Sequence, residues 1–203
     1  MWRMVKEIDT KQKILDTAAT LFYMQSYTAV GVATICKEAG VSKGSFFHFF
    51  NSKQDLALSV LDQFSNHLGA TLVADSIASS SPPMERLDRF ISMLYNAQKA
   101  YVDETGHLPG CPFGNMAMEQ ATQDEVIRKK VEKCLAGLAQ PLQRVVADAV
   151  KSGDLPEVDE QATADAMLSY IEGIQLIAKS RNDAEVIRKL GPAIKSIRVP
   201  VEI

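Results

Sequence analysis

The sequence has little of several features that mark specialised classes of protein. Its 203 residues contain only three cysteines, Cys36, Cys111 and Cys134, which are widely spaced and form no CxxC pair. This pattern favours free thiols in a reducing compartment over a disulfide framework. No apolar run approaches the roughly 20 residues of a membrane span, and no signal-peptide pattern opens the chain. These absences predict a cytoplasmic protein without a membrane partner.

Strand-like alternation and internal repeats are also missing. No segment of useful length alternates apolar and polar residues with the period of a β-strand. Apolar residues instead recur at helical spacing, as in Ile14, Ala18, Leu21 and Phe22. Hydrophobic residues make up 46% of the chain and charged residues 23%, which is typical of a globular protein. The sequence therefore predicts an all-α fold.

The net charge is small but unevenly distributed. The formal charge is -3, yet residues 1–53 carry +3 and the remainder carries -6. The total by itself argues against a dedicated nucleic-acid binder. A basic head on an acidic body, however, is typical of a chain that meets a polyanion at one end only.

A short turn joins the second and third predicted helices. Gly40 ends the second helix, and Ser42 is a suitable N-cap for a very short helix over residues 43–50. Ser52 and Asp55 have the spacing of a capping box that opens a fourth helix. This arrangement predicts a helix-turn-helix.

The short third helix carries an unusual concentration of aromatic rings. At 100° per residue, Phe46, Phe49 and Phe50 share one face, which we expect to be buried. Lys43 and Phe47 share the opposite face, which we expect to be exposed. Burial of each ring stabilises the fold by about 1.5–3 kcal/mol.

These residues resemble the DNA-binding head of the TetR (tetracycline-repressor-like) regulators. The family hallmark is AA..LF followed by IA..AGVSKG.LY.HF..K..L, and the match covers residues 14–60. The resemblance implies that the third helix enters the major groove of double-stranded operator DNA. By position it assigns DNA contacts to Thr34, Ser42, Lys43, Gly44, Ser45, Phe47, His48 and Lys53.

The match has two departures from the family pattern. Phe47 stands where the family usually has tyrosine, so a hydroxyl that bonds phosphate is absent. Gly31 and Ala33 occupy a first helical turn where Thr, Ser or Arg is common. Both changes remove polar contacts to DNA, and neither affects the predicted fold.

The resemblance also predicts the organisation of the rest of the chain. Residues 1–52 are expected to form the DNA-binding domain, and residues 73–203 a helical effector-binding and dimerisation domain. A fourth helix over 53–72 is expected to connect the two. The implied function is that of a repressor, bound to a palindromic operator as a homodimer on the bacterial nucleoid and released by a small-molecule effector. No cofactor is expected. The candidate pocket residues are Phe90, Met93, Leu94, Cys111, Phe113, Met116, Met167 and Tyr170.

A dimer interface is expected where a helix must bury more than one face. Residues 161–178 are apolar on more than one stripe, and small side chains there allow close approach between chains. Together with the helix that ends near Lys151, this segment resembles the family's four-helix dimer interface. The candidate interface residues are Leu138, Val145, Ala162, Ala166, Tyr170, Gly173, Ile174 and Ile177.

Two interpretations of Cys111 stay open. With Asn115, Ala117 and Glu119 it resembles the GC...N.A.E segment of a TetR subset in which a cysteine can sense electrophiles or oxidants. The other interpretation is a small residue filling a tight loop.

Two further function classes stay open. A thiol enzyme would use Cys111 as nucleophile and His107 as base, although no third orienting group is visible. A DNA-independent helical interaction module would dimerise without salt-dependent DNA affinity. His107, Cys111 and Glu119 lack a known metal-ligand spacing, so no metal site is predicted.

Overall fold

The computed structural model of the chain describes residues 2–77 and 80–201. Within this part every regular element is helical, which confirms the all-α prediction. A π-helical segment, Gly69–Ile77, follows α4, and a 3-10 helix, Gly191–Ser196, follows α9. The α-helices are α1 (Trp2–Met24), α2 (Val32–Ala39), α3 (Lys43–Phe49), α4 (Lys53–Leu68), α5 (Pro83–Thr105), α6 (Pro112–Gln120), α7 (Glu125–Ser152), α8 (Glu160–Arg181) and α9 (Glu185–Leu190).

The chain forms two compact units, and neither is continuous in sequence. The amino-terminal unit contains the described residues up to Phe64 together with Pro112–Cys134. The second unit contains Ser65–Cys111 and the chain from Leu135 onward. The division predicted from the sequence treated both domains as continuous segments. In the structure α6 and the start of α7 group with α1–α4, and hydrogen bonds link this segment to the α1–α2 loop and to α4.

Helix ends follow the local signals in the sequence. Gly40 ends α2 in the left-handed conformation at φ 63°, where its backbone N–H donates to the carbonyls of Cys36 and Lys37. Glycine adopts this conformation without steric cost. Asn182 caps α8 in the same way at φ 51°. The predicted turn and cap before α3 are therefore confirmed.

The core of the amino-terminal unit includes two of the three rings that we expected to be buried. Phe46 is 0% exposed and Phe50 is 2% exposed, and their ring centroids lie 5.9 Å apart. Phe49 is only half-buried, so the prediction for this ring was wrong. It lies at the last residue of α3, where its ring meets the His48 ring edge-on at 4.7 Å.

The second unit has its own hydrophobic core. Leu87 of α5, Leu142 of α7 and Met167 of α8 are all fully buried in it, with Ile187 of α9. These helices are amphipathic, and the core is the region where their apolar stripes meet.

Two helical segments contain local irregularities. Pro141 lies inside α7, which is continuous through it. The missing N–H removes one backbone hydrogen bond, whereas the neighbouring Leu142 and Val145 are both fully buried, and this packing stabilises the helix. Near the end of the chain, α9 is followed directly by a 3-10 helix that starts at Gly191. A Cβ at Gly191 would lie only 2.2 Å from the Ile91 side chain, so the close approach requires glycine.

Candidate nucleic-acid interface and effector unit

The start of α3 is built by two serines. Ser42 Oγ accepts a hydrogen bond from the Ser45 backbone N–H at 3.0 Å. The two hydroxyl oxygens lie 2.9 Å apart and form a second hydrogen bond. Ser42 is exposed and Ser45 is half-buried. The serine pair therefore starts the helix and leaves a hydroxyl at the surface.

The opposite faces of α3 differ sharply in exposure. Lys43, Gly44 and His48 are exposed, and Phe47 is 54% exposed although its ring meets the buried Phe46 ring edge-on at 5.1 Å. Thr34 on α2 is also exposed. An exposed, large apolar ring beside a lysine and a glycine forms a surface that can approach a nucleic-acid groove closely.

Lys53 differs from the other candidate DNA contacts. Its ammonium nitrogen donates to the carbonyl oxygens of Tyr27 at 2.9 Å and Val30 at 3.0 Å. Burial lowers the pKa of Lys53, and the negative charge of Glu119 opposes this shift. The side chain thus ties the start of α4 to the α1–α2 loop, which the sequence pattern did not indicate.

The eight candidate pocket residues divide between the two units. Phe90, Leu94 and Met167 are buried in the core of the second unit, with Met93 and Tyr170 partly buried against it. The Tyr170 hydroxyl donates to the Leu190 carbonyl at 2.7 Å. The structure places these five, with Cys111, in one unit.

The remaining two, Phe113 and Met116, belong to the amino-terminal unit. Met116 lines a small cleft there with Phe22 of α1 and Phe64 of α4. The cavity volume is about 10 Å³, room for about one water molecule. This cleft therefore has no space for an effector.

Cys111 is buried and lies at the end of a loop that is held by side chains. Gln98 of α5 bonds both the N–H and the carbonyl of Gly110, and Asn182 bonds the N–H of Leu108 and the carbonyl of Gly106. Neither of these polar side chains was predicted from the sequence to hold the loop. A polar residue inside or at the end of an apolar helical pattern was the feature that could have indicated them.

The Cys111 thiol also forms a side-chain hydrogen bond with the carboxyl group of Glu172 on α8. Burial raises the pKa of Glu172, while the hydrogen bond with Cys111 acts in the opposite direction. The two groups therefore share one hydrogen bond inside the second unit.

The candidate interface residues also differ in exposure. Gly173 is exposed and Ile177 is 40% exposed on α8, whereas Val145 is 0% and Ile174 is 3% exposed. The last two face the chain's own core, so they are unavailable to a partner. Helical period alone did not distinguish the two faces because α8 is apolar on both. Leu176, also on α8, is 57% exposed and was not among the candidates. Leu138, Ala162, Ala166 and Tyr170 are half-buried.

No helix in the described ranges is both long and apolar enough to cross a membrane. Within the same ranges, no group of three or more His, Cys, Asp or Glu side chains is placed to hold a metal ion.

Comparison with known proteins identifies the family. The family model of the bacterial regulatory proteins of the tetR family matches residues 14–60, and the tetracyclin repressor-like C-terminal domain matches residues 83–194, more than half of the chain. The chain belongs to the TetR family of transcriptional regulators. The predicted family and the helix-turn-helix regulator class are thereby confirmed.

Individual relatives agree with this assignment. The uncharacterized HTH-type transcriptional regulator YxaF of Bacillus subtilis is 30% identical over 86% of this chain and 87% of its own length. The crystal structure of regulatory protein TetR from Rhodobacter sphaeroides superposes with a TM-score of 0.82 at 25% identity, covering 93% of this chain and 98% of its own.

The reduced form of Escherichia coli NemR has a TM-score of 0.79 at 21% identity, covering 96% of this chain and 100% of its own, and shows the shared fold. Membership of the subset with the GC...N.A.E segment stays a prediction.

Proposed function

We propose that this TetR-family chain is a repressor that binds a palindromic operator as a homodimer and is released by a small-molecule effector. One observation carries the proposal: α3 buries Phe46 and Phe50 and presents Lys43, Gly44 and Phe47 outward. The buried rings fix the helix, and the outward residues are of types that approach phosphates and base edges.

A homodimer is proposed because one such helix can contact only a short stretch of DNA. A single short reading helix makes few base contacts, so specific binding needs two heads on half-sites about 34 Å apart. The exposed apolar residues Leu176 and Ile177 on α8 support a two-fold interface between copies of the chain.

Control by an effector requires a ligand that favours one separation of the heads. A coupling of about 1–3 kcal/mol between effector and operator changes DNA affinity about 5–150-fold. Phe90, Met93, Leu94, Met167 and Tyr170, which share the second unit, are the residues assigned to the effector.

The proposal places the protein on DNA in the bacterial cytoplasm and gives it no enzymatic activity. His107, the base of the alternative thiol enzyme, is exposed on the loop that leads to the buried Cys111. The buried Cys111 thiol bonds to a carboxyl group instead. This arrangement favours a Cys111 that packs in the core or senses electrophiles over a Cys111–His107 pair that catalyses hydrolysis.

A gel shift with the region upstream of the chain's own gene tests the main proposal. At several salt concentrations, the wild type should form a sequence-preferring complex whose affinity falls as salt rises. Lys43→Ala should weaken it, whereas Lys151→Ala, an exposed lysine of α7, should not. A complex indifferent to Lys43→Ala contradicts the proposal.

The second candidate is a regulator that senses electrophiles through Cys111. The hydrogen bond with Glu172 favours it, because the carboxylate can accept the thiol proton as sulfur attacks. Addition to a quinone forms one S–C bond, and the proton passes through Glu172 to the quinone oxygen. Benzoquinone should release DNA from the wild type but not from Cys111→Ser. Equal release from both would exclude this candidate.

A further inference from the structure

The loop that leads into the helix-turn-helix is held by residues from far along the chain. The backbone N–H of Thr28 donates to Glu119 Oε2 at 2.9 Å, although the two residues are 91 positions apart. The Gln120 side-chain amide donates to Thr28 Oγ1 at 3.1 Å. The last two residues of α6 therefore bond to one residue of the α1–α2 loop.

A second attachment lies beside the first, at the start of α4. The Gln54 side-chain amide donates to Asp124 Oδ2 at 2.6 Å. The other carboxylate oxygen of Asp124 accepts from the backbone N–H groups of Val126 and Ile127, both at 3.0 Å, and so caps the start of α7. The turn between α6 and α7 is thus bonded to α4, and the end of α6 is bonded to the α1–α2 loop.

These contacts bear directly on the DNA-reading helices. Thr28 lies four residues before α2, and Val30, between them, is 1% exposed, so the loop is anchored in the core just before the helix-turn-helix. The segment Pro112–Cys134 continues at both ends into the second unit. Displacement of α6 therefore acts on α2 and α3 through side-chain hydrogen bonds, without a contact to DNA.

We infer that Glu119 and Gln120 are positioning residues: they hold the α1–α2 loop in the arrangement that lets α3 read DNA, and loss of their bonds to Thr28 lowers operator affinity. The inference rests on the proposed function. It adds a direct path from α6 to the loop before α2, which neither the helix-turn-helix motif nor its aromatic pattern indicates.

The test compares Glu119→Ala and Gln120→Met with two neighbouring controls. Met118→Ala changes an α6 side chain that is 83% exposed, and Gln123→Ala removes a side-chain amide that donates to the adjacent Thr122 hydroxyl. The dissociation constant is measured for the upstream fragment and for a scrambled duplex, and the melting temperature is recorded for each variant.

A positioning role predicts a loss of specific affinity of about 5–150-fold, the usual range of coupling between sites. Binding to the scrambled duplex and the melting temperature should stay near the wild-type values, as should both controls. Glu119→Gln, which keeps an acceptor oxygen, should recover most of the affinity. Specific affinity within twofold of wild type in both variants overturns the inference, and so does an equal loss on both duplexes.

Amide hydrogen exchange separates this inference from the proposed function. If the wild type shows no preference for the upstream fragment, the proposed function fails, and exchange alone then decides the positioning role. Glu119→Ala should speed exchange of the Thr28 amide and of α2, with the second-unit helices unchanged. Wild-type exchange rates in α2 and at Thr28 would overturn the inference whatever the DNA result.

Discussion

The ammonium nitrogen of Lys53 lies 4.0 Å from the centroid of the Tyr27 ring, and the same nitrogen bonds to the carbonyl oxygens of Tyr27 and Val30. The motif resemblance assigned Lys53 to a phosphate contact. In the structure Lys53 instead joins α4 to the loop before α2. Lys43, which carries the same charge, is exposed on α3.

This contrast predicts different outcomes for the two lysines. Lys53→Met should lower the free energy of unfolding by about 1–3 kcal/mol, because two carbonyl oxygens lose a charged donor. Lys43→Met should change it by less than about 0.5 kcal/mol, as expected for a surface site. Urea unfolding measures both. Equal effects on stability would contradict the assignment of Lys53.

Gly44 provides a test in which stability and DNA affinity change in opposite directions. A Cβ there would lie 3.6 Å from Ser42 Oγ, an ordinary contact, so alanine fits the fold. Gly44→Ala should stabilise the unit by up to about 1 kcal/mol through helix propensity. It should also weaken operator binding, because the methyl group holds the backbone away from DNA.

The control for this prediction is Gly137→Ala in α7, where a Cβ would meet nothing within 4 Å. It should raise stability through the same helix propensity and leave operator affinity unchanged. The two measurements are thermal unfolding and a salt-matched gel shift. Unchanged operator affinity in Gly44→Ala would mean that this face of α3 does not approach DNA.

The exposed apolar side chains of α8 predict the oligomeric state. Replacing both Leu176 and Ile177 by Asp should weaken dimerisation at least about 10-fold, because burying an unpaired carboxylate costs more than about 1.4 kcal/mol. Analytical ultracentrifugation over a concentration series measures the shift toward monomer. The control is Asn96→Asp, which adds one charge at an exposed site on α5. An unaltered dimer in the double variant would place the interface elsewhere.

The buried carboxyl group of Glu172 predicts a pH-dependent stability difference. Burial raises the pKa of Glu172, so the folded chain holds this proton more tightly than the unfolded chain does. Stability is therefore lost as the pH rises from the ordinary glutamate pKa of 4.5 through the raised folded value. Glu172→Gln removes this loss, and its melting temperature should rise relative to wild type across that interval.

The matched control is Glu104→Gln, which removes a carboxylate from an exposed site on α5. Differential scanning calorimetry at a series of pH values measures both variants against the wild type. A Glu172→Gln difference that stays constant with pH, or falls as pH rises, would contradict the burial argument.

The amino-acid sequence by itself determined the helical fold, the turn at Gly40 and, except for Phe49, the two faces of α3. These features depend on local signals: helical period, the conformational freedom of glycine and a serine cap. Each acts within a few residues, so it can be recognised without knowing the rest of the chain.

Only the tertiary structure decided which apolar face of α8 is covered, what Lys53 bonds to and where α6 is attached. Ile174 and Ile177 lie three residues apart on an apolar helix, yet one is 3% and the other 40% exposed. Thr28 and Glu119 meet across 91 residues. The physical reason is the same in each case: period identifies an apolar face or a polar side chain, but its partner is set by packing between helices that are distant in sequence.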